Sequence, residues 1–261
     1  MEAMSRFRIA SVSFINARPL ICGLEMQRDV HLQLAVPSAL LQLLEEDRAD
    51  VGLLPTIDYQ RAGGLVVLRA GGIASDGPTL TVRIFSRVPM KQVRSLACDP
   101  DSHTSVALAR IILSQRYNLH VELCDLSRAS DSPEQARLLI GDKVVCEEPA
   151  GFPYQLDLGQ EWKAMTGLPF VFAAWMARPN ADLPALNAKL VEAKERGRGQ
   201  IDQIIEKHAA PRGWPAELAR QYLTSNLQFD IGPREIQAIE QFHAMAVELG
   251  IIQSARKLRV F

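Results

Sequence analysis

Neutral polar residues cluster where apolar runs stop. Asn16 and Arg18 follow the run 8–13, Ser75, Asp76 and Gly77 follow the run 65–73, and Ser102, Thr104 and Ser105 precede a helical pattern. A side-chain amide donates and accepts at once, so Asn16 either orients a ligand or serves a turn. Arg18 is either the bidentate cation that a carboxylate prefers or a solvated surface charge. The three hydroxyls, with the free N–H groups of a helix start, can grip a carboxylate, although one of them alone would cap the helix. Ser75 and Asp76 are equally compatible with a turn before Gly77-Pro78. Gly141-Asp142 is either a turn or the far wall of a crevice. Ser13 and Thr56, each at the end of a strand-like run, complete the binding set.

Several chemistries are missing from this inventory. No phosphate-binding glycine loop, zinc-protease motif or hydrolase serine elbow is present. The five histidines make no metal-ligand spacing, so neither a metal nor a cofactor is expected. The four cysteines, Cys22, Cys98, Cys124 and Cys146, lie far apart and read as reduced, mostly buried thiols. With 29 basic and 30 acidic residues the net charge is −1, which provides no field for nucleic acid or an anionic membrane. The longest apolar run, 168–177, is too short to span a bilayer. The start, MEAMSRFRIASVSF, carries no export signal pattern, and the expectation is a soluble cytoplasmic protein with a small-molecule partner. Oligomeric state is not legible.

At 261 residues and 48% hydrophobic, the chain is near the size at which one core divides into two. Strands are expected at 8–13, 31–36, 51–54 and 65–73, with helices at 19–26 and 38–46; the latter carries Leu40, Leu41, Leu43 and Leu44 on one face. Such alternation implies a parallel sheet with helices on both faces. A second set has strands at 95–98, 120–123 and 137–145 and a helix at 105–117. Extended segments 80–86 and 170–177 flank it, as two connectors would. The expected division is a larger α/β lobe from 1–85 and 175–261, with 86–174 inserted as a smaller one. Helices follow at 183–195, 200–208, 216–226 and 233–249.

Six collinear segments, SVSFINARPL, ADVGLLPTIDY, SDGPTLTVRIFS, SHTSVALARIIL, ARLLIGDKVV and DLGQEWKAMTGLPFVFAAW, resemble the chorismate dehydratase family of the futalosine route to menaquinone. The resemblance implies the two-lobed fold of type 2 periplasmic solute-binding proteins, with a two-strand hinge and a ligand crevice. It also implies removal of water from chorismate to give 3-[(1-carboxyvinyl)oxy]benzoate. Carried over by position, Asn16 and Ser75 match the family's polar pair at the reacting ring, and Ser102, Thr104 and Ser105 match its carboxylate-binding turn. The family view lets the substrate's own enolpyruvyl carboxylate act as the base. Phe14 stands where tyrosine is frequent, Thr56 where serine is frequent, and His103 at a variable position; CEEPAGFP is unusual for the family. Two rivals share the scaffold: a non-catalytic solute receptor and the sister dihydroxynaphthoate synthase. Fold alone does not separate them.

Overall fold

Apolar strands that alternate with one-sided helices must be covered on both faces, and this chain does so twice. The computed structural model describes residues 6–99, 102–127, 134–146 and 149–261. It begins with β1 (Phe7–Ser11), β2 (Val30–Leu34), α1 (Pro37–Glu45), β3 (Val51–Pro55), α2 (Asp58–Arg61) and β4 (Val66–Ser75). There follow β5 (Val82–Ser86), β6 (Ser95–Cys98), α3 (His103–Tyr117), β7 (Glu122–Asp125), β8 (Ala136–Ile140), α4 (Asp142–Cys146), β9 (Tyr154–Asp157) and α5 (Leu158–Thr166). Then come β10 (Phe170–Ala177), α6 (Leu183–Gly199), α7 (Ile201–Ile204), α8 (Ala216–Gln221) and α9 (Pro233–Glu248).

The strands form two five-stranded sheets, ordered β2-β1-β3-β10-β4 and β7-β6-β8-β5-β9. Neither sheet is the all-parallel one expected. β1 runs parallel to β2 and β3, whereas β10 is antiparallel to both β3 and β4, because it returns from the second sheet. In the second sheet β6 is parallel to β7 and β8, and β5 is antiparallel to β8 and β9. This is a two-lobed α/β fold whose lobes are joined by the segments leading into β5 and β10.

Two local expectations are corrected. The strand expected at 137–145 ends at Ile140, because Gly141 turns the backbone at φ 59° and residues from Asp142 coil into α4. The helix expected at 19–26 is replaced by two 3₁₀ turns, Ile15–Ile21 and Leu24–Met26, with Pro19 inside the first, where its missing N–H works against a continuous α-helix. β9 and α5 carry no strong periodicity. Their signal is a cap: the Asp157 carboxylate accepts from the Gln160 N–H at the start of α5.

Each lobe has its own core. Leu40, Leu53, Trp175, Leu186 and Leu190 belong to the first; Leu108, Ile112, Trp162, Phe170 and Phe242 belong to the second. Phe170 meets Trp162 and Phe242 edge-on, each at 5.1 Å between ring centres. Burying a side chain of this size contributes roughly 1.5–3 kcal/mol. Phe242 lies on α9, so the last helix covers the second lobe although Leu227, Phe229 and Ile231 just before it pack in the first. Beyond α9 the chain turns back, and Val260 bridges to Val67 of β4.

Candidate active site

The ends of β1, β3 and β4, the middle of β10 and the start of α3 converge on a solvent-open cleft with about 660 Å³ of empty space. Its first-lobe wall is Val12, Phe14, Leu53, Pro55, Ile73, Phe172 and Ala173, and its second-lobe wall is Val82, Ile140 and Gly141. The hydrogen-bonding groups are Asn16, Thr79, Thr81, Ser102, His103, Thr104, Ser105 and Tyr222. The slot is therefore apolar along its sides and polar at a few points, as a site for a small ring with polar substituents must be. Among the described residues no Lys, Arg, Asp or Glu lines it, and no group of three His, Cys, Asp or Glu side chains is placed to hold a metal.

The structure brings Asn16, Ser102, Thr104, Ser105 and Gly141 to the cavity wall. Asn16 sits in the 3₁₀ turn after β1, and its amide oxygen is buried with no partner. A buried acceptor left unsatisfied costs about 1–3 kcal/mol, so the position favours a ligand that donates to it. Ser102 precedes α3 without capping it, so no side-chain cap occupies the first-turn N–H groups of the residues that line the cavity. Thr104 is partly committed, because its hydroxyl accepts from the Ile57 N–H of the other lobe at 3.2 Å.

The remaining candidates lie off the cavity wall. Thr56 is buried and donates to the Val171 carbonyl at 2.6 Å. Asp76 pairs with Lys163 and, at 3.4 Å, with Arg234, so it fastens the β4–β5 connection. Gly77 adopts φ 143° in the same turn, a conformation other residues rarely take. Ser75 is fully buried, and its unpartnered hydroxyl points at α5, where a methyl on Gly159 would lie 2.7 Å from it. Asp142 accepts from the Trp214 indole at 2.9 Å. The Ser13 carbonyl accepts from Arg18 at 3.0 Å and from Arg212 at 3.2 Å. Burial and the neighbouring Arg212 hold the Arg18 guanidinium below its usual range, and burial with these cations pushes His208 down to about 4.

Three features had no clear signal in the sequence. Tyr222 is fully buried below the cavity and shares a 2.7 Å hydrogen bond with Thr81. Burial raises its hydroxyl, with Thr81 and Asn16 acting in the opposite sense. Leu80 takes a left-handed φ of 66°, held by the Asp157 carboxylate, which accepts from the Thr79 and Leu80 N–H groups at 3.0 and 2.8 Å. His103 on the second lobe meets Asp58 on the first.

A cleft between two mixed α/β lobes, crossed by extended segments, defines the class of periplasmic-binding-protein-like folds. A protein from Archaeoglobus fulgidus has the same fold at TM-score 0.77 and 15% identity, covering 94% of this chain and 98% of that one. The periplasmic aliphatic sulphonate binding protein of Escherichia coli aligns at TM-score 0.68 and 14% identity, over 99% and 92%. Within that class, a family model described as menaquinone biosynthesis matches residues 7–248, and the chain belongs to this family. Chorismate dehydratase of Thermus thermophilus is 29% identical over 235 residues, covering 80% of this chain and 84% of that protein. Chorismate dehydratase of Campylobacter jejuni is 24% identical over 242 residues, covering 88% and 93%.

Proposed function

We propose that the protein is a chorismate dehydratase, a carbon–oxygen lyase that eliminates water from chorismate to give 3-[(1-carboxyvinyl)oxy]benzoate. The observation that carries this reading is the apolar slot that places the unsatisfied Asn16 oxygen across from the open first turn of α3. Family membership and the two relatives named chorismate dehydratase support it.

The elimination breaks the ring C–H beside the ether oxygen and the neighbouring C–OH bond; the proton and hydroxide leave together as water, and the ring becomes aromatic. Aromatisation makes the proton easy to lose, so a slot without a carboxylate base of its own suffices when the substrate's enolpyruvyl carboxylate is folded onto the ring. Asn16 accepts from the departing hydroxyl and orients it. Ser102, Ser105 and the free N–H groups of α3 hold the ring carboxylate, where the helix dipole favours negative charge. Phe14 and Phe172 flank the ring and exclude water. Ser75 is assigned to the second carboxylate, which requires the 76–79 turn to shift. Arg18 and Arg212, joined at the Ser13 carbonyl next to Phe14, add positive charge near the slot.

The test is direct. Purified protein mixed with chorismate should generate aromatic absorbance and a product lighter by one water. Chorismate binding without conversion would favour the solute-receptor reading, which the fold alone supports equally well.

A further inference from the structure

The elimination described above leaves one polar contact unused, where the two lobes meet at the cleft floor. Asp58 opens α2 on the first lobe and is fully buried, while His103 opens α3 on the second and lines the cleft with 23% of its side chain exposed. The His103 Nδ1 lies 3.0 and 3.1 Å from the two Asp58 carboxylate oxygens. Arg61 donates to the same carboxylate at 3.1 Å. An ionised carboxylate only accepts, so Nδ1 carries a hydrogen and the ring is fixed by it. Nε2 has no hydrogen-bond partner among the described residues. Beside this pair the Ile57 N–H donates to Thr104, so the starts of α2 and α3 are held in register and the imidazole is not free to swing.

The geometry points to His103 as a substrate-contacting residue: oriented by Asp58, its Nε2 donates to a carboxylate of a small cyclic dicarboxylic acid in the cleft. With Nδ1 committed to Asp58, a ring that also donates from Nε2 is the imidazolium, a positive charge that no other described residue lining the slot supplies. Among the described residues, Asp58 of α2 contacts the ring and Arg61 shares its carboxylate; Tyr222 lines the same cavity and stays neutral. Asp58 is a positioning residue, acting through the ring. The inference rests on the dehydratase reading for the identity of the acid, and on the contacts above for the role of His103.

The test uses the whole protein and benzene-1,3-dicarboxylate as the probe, with affinity measured by calorimetry from about pH 6 to pH 8. A charge-assisted hydrogen bond corresponds to roughly tenfold or more in affinity. The wild type is expected to bind the probe more weakly as pH rises, and His103→Gln to bind about tenfold more weakly at pH 6 with a flat profile. Asp58→Asn should weaken the pH dependence while keeping the ring. In case the replacements disturb folding, imidazole ¹⁵N spectra of the wild type give a second reading, in which one histidine Nε2 shifts on adding the probe. A wild type that does not bind the probe, a pH-independent affinity, a His103→Gln protein within twofold of wild type, or no shifting Nε2 would each overturn the assignment. The two readings fail separately. Chorismate conversion with a KM unaffected by His103→Gln sinks this inference and spares the dehydratase. His103-dependent probe binding without conversion does the reverse.

Discussion

His243 gives the acid response of this fold a buried source that one substitution can isolate. It lies on α9, is 1% exposed, and is held neutral on both sides: Nε2–H donates to the Thr56 carbonyl at 3.0 Å, and Nδ1 accepts from the Gln60 amide at 2.9 Å. Burial lowers its proton affinity from 6.5 to about 4, against a smaller opposing pull from the Thr56 carbonyl. The unfolded chain therefore takes up a proton below pH 6.5 that the folded chain refuses until about pH 4. Stability from this group is constant above about pH 7, falls as the pH drops through that window, and levels off below pH 4. Linkage puts the loss between pH 7 and pH 5 at about 2 kcal/mol. Urea unfolding followed by tryptophan fluorescence, on the wild type and on His243→Gln, measures it. His208 responds in the same direction but is common to both proteins, so the difference between their pH dependences isolates His243. The wild type should lose about 2 kcal/mol more than the variant. Equal losses would refute the reasoning, because they would mean that the ring is already charged, or already wet, in the folded protein.

Other replacements test the site. Asn16→Ala should lower kcat on chorismate by about 100-fold with KM little changed, whereas Ser105→Ala should chiefly raise KM; the reverse pattern would exchange their roles. Tyr222→Phe leaves the Thr81 hydroxyl without its partner and should destabilise by about 1–3 kcal/mol in the same urea assay. It should also lower kcat through Asn16. Gly159→Ala puts a methyl 2.6 Å from the Gly77 carbonyl and 2.7 Å from the Ser75 hydroxyl. We expect a loss of about 1–3 kcal/mol and a fall in turnover, with chorismate still bound. Unchanged turnover would detach Ser75 from the reaction.

Where an element announces itself within ten or fifteen residues, its sequence suffices. The leucines of α1, the helix from Ser102 onward and the Gly-Pro start of α9 are local signals of that kind. Strand direction is not local. β10 reads as an apolar run like any other, and its antiparallel place between β3 and β4 depends on where the chain has been for the preceding ninety or so residues. The site divides along the same line. Asn16 and the serines of the α3 turn stand at the ends of recognisable elements and reach the slot. Asp76 and Asp142 look identical in sequence terms, yet their partners, Lys163 and Trp214, are brought to them by the other lobe or by the connection before α8. Tyr222 is hidden for a related reason: it belongs to an apolar helical stripe, and only the fold sets its hydroxyl beside Thr81. His103 and Asp58 come from different lobes, so no spacing within either segment connects them.

The placement of α9 carries a mechanical consequence. The backbone passes between the lobes before β5, again before β10, a third time between Ile231 and Phe242, and a fourth between Ile252 and Leu258. Four tethers leave little room for independent melting, so heating should produce a single calorimetric peak. A protease nick in any one crossing would leave three, and the cut chain should still migrate as one particle on a sizing column.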